Sequence, residues 1–217
     1  MSDPQTLLLT GFAPFGGETE NPSWLAVRPL DGALIDGYRV VAVELPVVFG
    51  EALRALEAAL DRHAPALVLC VGQAGGRAQV SLERVAINVD DARIPDNAGN
   101  LPVDTAVIEG GPAAYFSNLP IKAMREAARA AGVPCEISQT AGTFVCNHVF
   151  YGLMHALRER PGVRGGFVHI PYSPQQAAAH AGAPSLPVEL ATRALRAMLE
   201  TALRTGEDVR IAAGATH

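Results

Sequence analysis

Cys146 is the side chain in this chain best set up for covalent chemistry. It lies in the run SQTAGTFVCNHVF (138–150), which reads as a strand end, a tight glycine turn and a helix that begins around the cysteine. A thiol at a helix start faces unpaired backbone N–H groups and the positive end of the helix dipole. Both favour the thiolate, and such placement can lower a cysteine pKa from about 8.5 to roughly 3.5–7.5. The same N–H groups can hold an oxyanion once sulfur attacks a carbonyl. The competing reading is a small buried hydrophobe, the usual fate of an intracellular cysteine.

A thiol nucleophile needs a base, and the base needs an orienting group. Of the six histidines, His169 is the best placed: it ends the strand GGFVHIP (165–171). His148 follows Cys146 by only two residues and points elsewhere on the helix, and His155 is mid-helix. His63 and His180 fall in surface segments, and His217 is terminal. The alternative for His169 is a hydrogen-bonded core histidine. For the orienting acid, QVSLERVAINVDDA (79–92) offers Glu83. An unbroken strand there places Glu83 on one face with Val85, Ile87 and Val89. A carboxylate on an apolar face is costly unless paired, and an imidazole partner resolves that cost. A bulge, or pairing with Arg84, would leave Glu83 a solvated charge.

The turn GFAPFGG (11–17) lacks both the Lys-Ser/Thr ending of a phosphate loop and the dinucleotide spacing. Phe12 and Phe15 in this Gly/Pro turn fit the wall of a small apolar pocket. Cys146 and His148 are too close to form a standard zinc pair and no second pair exists, so a metal site is not expected.

The elements that must position these groups follow an α/β pattern. Apolar runs at 5–12, 38–46, 66–72, 134–140 and 165–171 read as strands. Helical periodicity covers 50–63, 117–132, 141–159 and 187–205. The order predicts a three-layer α/β/α sandwich around a mixed, largely parallel sheet. Sites in such folds lie at the carboxyl ends of strands. The turns at 11–17, 72–77, 139–145 and 170–174 all follow strands and can converge on one edge. The Asp-, Asn-, Gly- and Pro-rich stretch 90–112 reads as an excursion from the sheet. Residues 1–217 read as one domain, because a 49% hydrophobic content suffices for a single sizeable core.

Composition narrows the partners. A net charge of −5 with no basic block argues against nucleic acid. No apolar run is long enough to span a membrane, and MSDPQTLLLTGF has no positively charged leader. Three cysteines without a signal peptide point to reduced thiols and a cytoplasmic location. Cys70, inside ALVLCVG, and Cys135 read as core residues.

Four segments carry a resemblance that spans almost the whole chain in order. GFAPFGGETENPSW (11–24), GQAGGRAQVSLERVAINVDDARIPDNAGN (72–100), SQTAGTFVCNHVFYGLMH (138–155) and GFVHIP (166–171) resemble the pyrrolidone-carboxylate peptidases, or pyroglutamyl peptidase I. The resemblance implies a cysteine peptidase that removes an N-terminal pyroglutamyl residue from peptides, with a triad of Cys146, His169 and Glu83. It further implies a cytoplasmic homo-oligomer, commonly a tetramer, that needs no cofactor. On that reading, Phe12, Phe15, Phe144 and Val145 form a slot for the flat lactam ring. Asn21 and Gln73 lie near its polar edge, and Arg93 of the DDAR segment is a possible oxyanion donor. Two positions depart from the family pattern, Ala13 and Gln139, and neither belongs to the triad. A thiol hydrolase for another acyl group, or a non-catalytic lactam-binding protein, are the alternatives that remain open at this point.

Overall fold

The computed structural model describes residues 4–214. In chain order the elements are β1 (Thr6–Phe12), α1 (Pro22–Val27), a short 3-10 turn (Arg28–Leu30), β2 (Leu34–Ile35), β3 (Tyr38–Leu45), α2 (Glu51–His63), β4 (Leu67–Gln73), β5 (Val80–Glu83), β6 (Val85–Ile87), β7 (Ala114–Phe116), α3 (Ile121–Ala130), β8 (Cys135–Ser138), α4 (Val145–Leu157), β9 (Arg164–Ile170), α5 (Pro174–Ala177) and α6 (Val188–Arg204). Seven strands form the main sheet in the order β2-β3-β1-β4-β9-β5-β8, and β6 pairs with β7 apart from it. The contacts β3–β1, β1–β4, β4–β9 and β5–β8 are parallel, whereas β2–β3 and β5–β9 are antiparallel. The sheet is therefore mixed and largely parallel.

The central strands are continuous apolar runs because both of their faces are covered. Alternate residues feed two cores. Leu7, Leu9, Leu67, Leu69, Val71 and Val168 pack with α1, α3 and α6. Leu8, Val68, Cys70 and Phe167 pack with α2 and α4. The result is the three-layer sandwich, and Cys70 and Cys135 are core residues, both fully buried.

Three expectations need correction. The segment 79–92 is not one strand: the chain leaves the main sheet at Arg84, whose N–H still bonds Ser138 while its carbonyl accepts from Ser117 at the start of the β6–β7 side. Burial parity changes there, so Ala86 is buried while Val85 and Ile87 are only half-buried. Glu83 is nonetheless completely buried, within the main sheet. Second, the turn 139–145 does not follow a strand that ends at the same edge as the others. β5 enters antiparallel to β9, so β5 and its parallel partner β8 run opposite to β1, β4 and β9. The loop after Ser138 leads to α4 and is held on the way by Arg77, through the Thr140 carbonyl, and by the Asp91 N–H, through the Thr143 carbonyl. Third, the helix expected over 117–132 is present but shorter, α3 running from Ile121 to Ala130. The short elements α1, β2 and α5 carry too few periods to be read from sequence.

Candidate active site

Cys146 is the second residue of α4, whose N-cap is Phe144. No side chain caps this end, so the first-turn N–H groups stay available to a ligand. The two residues after Cys146 fasten the helix start. Asn147 accepts from the Ile87 N–H at 3.0 Å and donates to the carbonyls of Ile87 and Val89 at 2.9 and 3.0 Å. His148 bonds through Nδ1 to Asp90 at 2.8 Å, and its Nε2 accepts the Gly50 N–H at 3.0 Å. His148 is thus held as the Nδ1–H tautomer, and it points away from the cysteine, as its spacing predicts.

The sulfur rests over Gly72 near the end of β4. A methyl group at Gly72 would lie 2.8 Å from Cys146 Sγ and 2.9 Å from the Phe167 ring. Gly72 in turn is paired across the sheet with His169 of β9. The sulfur and His169 are therefore both neighbours of Gly72, a residue that must lack a side chain.

His169 Nδ1 bonds Glu83 Oε1 at 2.7 Å, and both side chains are buried. They are diagonal neighbours in the antiparallel β5–β9 pair, where Ser81 lies opposite His169 and Glu83 opposite Phe167. The bond to Nδ1 directs Nε2 as the free ring nitrogen. A second partner was not anticipated from the sequence. Arg77 donates from Nη1 to the same Glu83 Oε1 at 2.6 Å and from Nη2 to the Thr140 carbonyl at 2.9 Å. The guanidinium supplies the opposite charge that a buried carboxylate requires, and it ties the loop preceding the cysteine to the acid. Its position six residues before Glu83 in the glycine-rich turn was the available signal; the fold that brings it back was not.

The thiol behaves differently from the sequence expectation. Although its helix-start position favours ionisation, burial pushes the Cys146 thiol up to about 12, with the Glu83 charge adding to the rise and Arg77 opposing it. Its residue surface is only partly covered, but the sulfur faces protein on the sheet side. Burial thus opposes the thiolate here, and a base beside the sulfur would offset that cost.

Beside the sulfur is a narrow slot lined by Phe12, Phe15, Asn21, Val47, Gln73, Phe144, Val145 and Cys146. All the expected slot residues are present, and Val47 is the additional one. The slot encloses only about 10 Å³, scarcely one water. Phe144 stacks loosely between Phe15, at 6.2 Å, and the edge of Phe49, at 5.4 Å. Arg93 is not in the slot. It is exposed and lines a separate cavity of ≈ 410 Å³ with Asp91, Ile94, Gly142, Thr143 and Phe144. A further cavity of ≈ 650 Å³, bordered by α1, α5 and α6, contains none of Cys146, His169 or Glu83. Among the described residues, no cluster of three or more His, Cys, Asp or Glu is arranged around a metal-sized space.

A histidine with a buried acid behind it, a cysteine at an open helix start and an aromatic slot together form the geometry of acyl transfer by a thiol. Comparison with known proteins agrees. The pattern of the family described as pyroglutamyl peptidase matches residues 5–205. A pyrrolidone-carboxylate peptidase from Escherichia fergusonii is 61% identical over 98% of this chain and 100% of its own length. One from Cupriavidus necator is also 61% identical, over 98% of this chain and 100% of its own. The crystal structure of pyroglutamyl peptidase I from Bacillus amyloliquefaciens superposes with a TM-score of 0.92 at 50% identity, covering 94% of this chain and 100% of that one. A pyrrolidone carboxyl peptidase variant from Pyrococcus furiosus gives 0.89 at 40% identity, covering 92% and 99%. The chain belongs to the pyroglutamyl peptidase family.

Proposed function

We propose that the protein is a cysteine-type peptidase that removes the N-terminal pyroglutamyl residue from peptides, with Cys146 as nucleophile, His169 as general base and acid, and Glu83 as the group that orients His169. The observation that carries the assignment of roles is the 2.7 Å bond from His169 Nδ1 to the buried Glu83, at the sheet position that faces the cysteine-bearing edge. His169 Nε2 takes the thiol proton as sulfur attacks the carbonyl that joins pyroglutamate to the next residue. The proton returns to the leaving amine, and water then hydrolyses the thioester with the same histidine as base. Because burial holds the thiol up to about 12, ionisation is coupled to attack. Charge then develops on an oxygen that the N–H groups at the start of α4 can stabilise.

The lactam ring is small, flat and uncharged, and the aromatic slot with Asn21 and Gln73 at its edge suits it. At its resting volume the slot is tighter than the ring, so its walls open on binding. The remainder of the peptide extends toward the cavity that Arg93 lines, and Arg93 serves the oxyanion or the peptide backbone from there. A free amino terminus would bring a charged amine into an apolar slot, which is costly.

The same reading takes residues 1–217 as one cytoplasmic domain that acts without a metal or cofactor and assembles as a homotetramer. Ile94, Leu101 and Val103 of the 90–112 excursion are exposed apolar side chains, and burying them between subunits would account for that exposure. Light scattering on the eluted protein tests the assembly. No helix of the described residues is long and apolar enough to cross a membrane.

The activity is tested by release of a fluorogenic amine from its pyroglutamyl amide under reducing conditions. Release by the wild type and its loss in Cys146→Ser support the proposal. A folded, reduced wild type that releases nothing overturns it in favour of another acyl group or of lactam binding alone.

A further inference from the structure

Gln73 contributes a primary amide to the slot, and its two ends are chemically opposite. One end accepts a hydrogen bond and the other donates. Which end faces the ring decides what the slot can recognise.

The answer comes from Gln176, which lies outside the slot. Gln176 is the third residue of α5 and is buried. It closes a capping box with Ser173, whose hydroxyl oxygen accepts the Gln176 N–H at 3.1 Å. The Gln176 side chain makes three further bonds. Its Oε1 accepts the Ser173 backbone N–H at 3.3 Å. Its Nε2 donates to the Glu20 carbonyl at 3.2 Å and to Gln73 Oε1 at 3.1 Å. A backbone N–H can only donate and a backbone carbonyl can only accept. Ser173 and Glu20 therefore fix the two ends of the Gln176 amide independently, and both require the same orientation. The bond to Gln73 inherits that sense. Gln73 must offer its oxygen to Gln176, and its NH₂ is left over; among the described residues that NH₂ makes no hydrogen bond to protein.

Asn21 follows the same rule. Its Oδ1 already accepts from the Ser23 N–H and hydroxyl, at 3.0 and 2.8 Å, and its Nδ2 donates one proton to the Ala13 carbonyl at 3.0 Å. The amide hydrogens not used by protein are thus donors on both slot amides.

We propose that Gln176 is a positioning residue for substrate selection: by holding Gln73 oxygen-outward from the slot, it makes the slot a hydrogen-bond donor and selects acyl rings that carry a carbonyl at that edge. This rests on the pyroglutamyl reading above, in which that carbonyl is the lactam C=O. Gln176 touches neither the ring nor the sulfur, and acts through Gln73.

The test is a double-mutant cycle on kcat and KM for a pyroglutamyl aminocoumarin amide, using wild type, Gln176→Glu, Gln73→Leu and the double variant. Gln176→Glu keeps an acceptor for the Ser173 N–H, and so keeps the helix cap. Its carboxylate cannot donate to Gln73, which then turns its own NH₂ toward the new charge and its oxygen toward the ring. KM is expected to rise roughly 10–100-fold, the scale of an opposed or unsatisfied buried polar group, while kcat changes little. The rate of Cys146 alkylation by iodoacetamide is expected to stay at the wild-type value, because the nucleophile is untouched. Gln73→Leu is expected to raise KM similarly, and adding Gln176→Glu to it to cost almost nothing more, since the two act through one bond. Gln176→Met, which adds no charge, repeats the cycle should the glutamate variant not fold; its smaller KM rise is also expected to vanish in the Gln73→Leu background. An unchanged KM in folded Gln176 variants, or losses that add in the double variant, would overturn the proposal. Absence of release by the wild type, seen before any substitution, overturns the underlying reading instead.

Discussion

Cys70 in the middle of β4 and Cys146 at the start of α4 belong to the same core on the same face of the sheet. Burial pushes both thiols up to about 12. Their surroundings differ in every other respect. Around Cys70 the one polar neighbour that acts on the thiol is the Thr10 hydroxyl. Cys146 feels the opposed charges of Glu83 and Arg77, borders the slot and lies over Gly72, the sheet partner of His169. The direction in which burial moves a thiol therefore does not separate Cys146 from Cys70. What differs is whether a base stands where it can take the proton, and whether donors stand where charge then appears.

The sharpest way to break this comparison is to remove each sulfur. Cys146→Ser is expected to lower release of the fluorogenic amine by at least ~10³-fold, the scale seen when the nucleophile of a triad is lost. Cys70→Ala is expected to retain activity and to lower stability by roughly 1–2 kcal/mol through the small cavity it leaves. If Cys70→Ala abolished turnover in a folded protein, the assignment of roles would be reversed.

Next in size is the seat of the sulfur. Gly72→Ala places a methyl 2.8 Å from Sγ and 2.9 Å from the Phe167 ring, so sulfur or ring must shift. A displacement of this kind is expected to cost about 100-fold in kcat, with the protein still folded by circular dichroism. Wild-type kcat in Gly72→Ala would mean that the position of the sulfur is not tightly required.

Arg77→Gln should act more gently and in a recognisable direction. It removes the positive charge that opposes the rise of the Cys146 thiol, which favours the protonated thiol. The acid limb of the kcat/KM profile should move to higher pH, with about a tenfold loss near neutrality. A uniform loss without a shift of the limb would make Arg77 a structural tether only.

The smallest effect is one in which the two cysteines should look alike. Each thiol has a folded pKa raised from 9.0 to about 12, so folding favours the protonated form. The associated stability is present in full below about pH 9 and is lost as pH rises toward 12, at about 1.4 kcal/mol per pH unit for each thiol. Urea midpoints measured between pH 8 and pH 10.5 should fall more steeply for the wild type than for Cys70→Ala or Cys146→Ala. Equal slopes in all three would show that the buried thiols ionise as readily folded as unfolded.

Much of the site was legible because its parts are local. The apolar runs of β1, β4 and β9 and the strand–turn–helix around Cys146 are short-range patterns, and they place residues at strand ends without knowledge of the rest. The aromatic turn with Phe12 and Phe15 could be read as a pocket wall for the same reason, whereas joining it to Phe144 and Val145 in one slot followed from the family resemblance. Val47 escaped notice because an aliphatic residue after a strand has many possible uses. Arg77 escaped because a charge in a glycine-rich turn looks like any solvated arginine until a buried carboxylate is found opposite it.

By itself the sequence determined the alternation of strands and helices, the helix start that carries Cys146, and the residue types able to serve as nucleophile, base and acid, since periodicity, turn chemistry and side-chain chemistry are properties of neighbouring residues. Only the tertiary structure decided that β5 and β8 run against the rest of the sheet, because strand direction depends on pairing between distant segments. That inversion sets Glu83 diagonally beside His169 and sends the loop past Arg77 to reach Cys146. It was also the tertiary structure that decided the thiol's high resting pKa and the outward-turned oxygen of Gln73, since burial and hydrogen-bond direction are set by what surrounds a group, not by what precedes it in the chain.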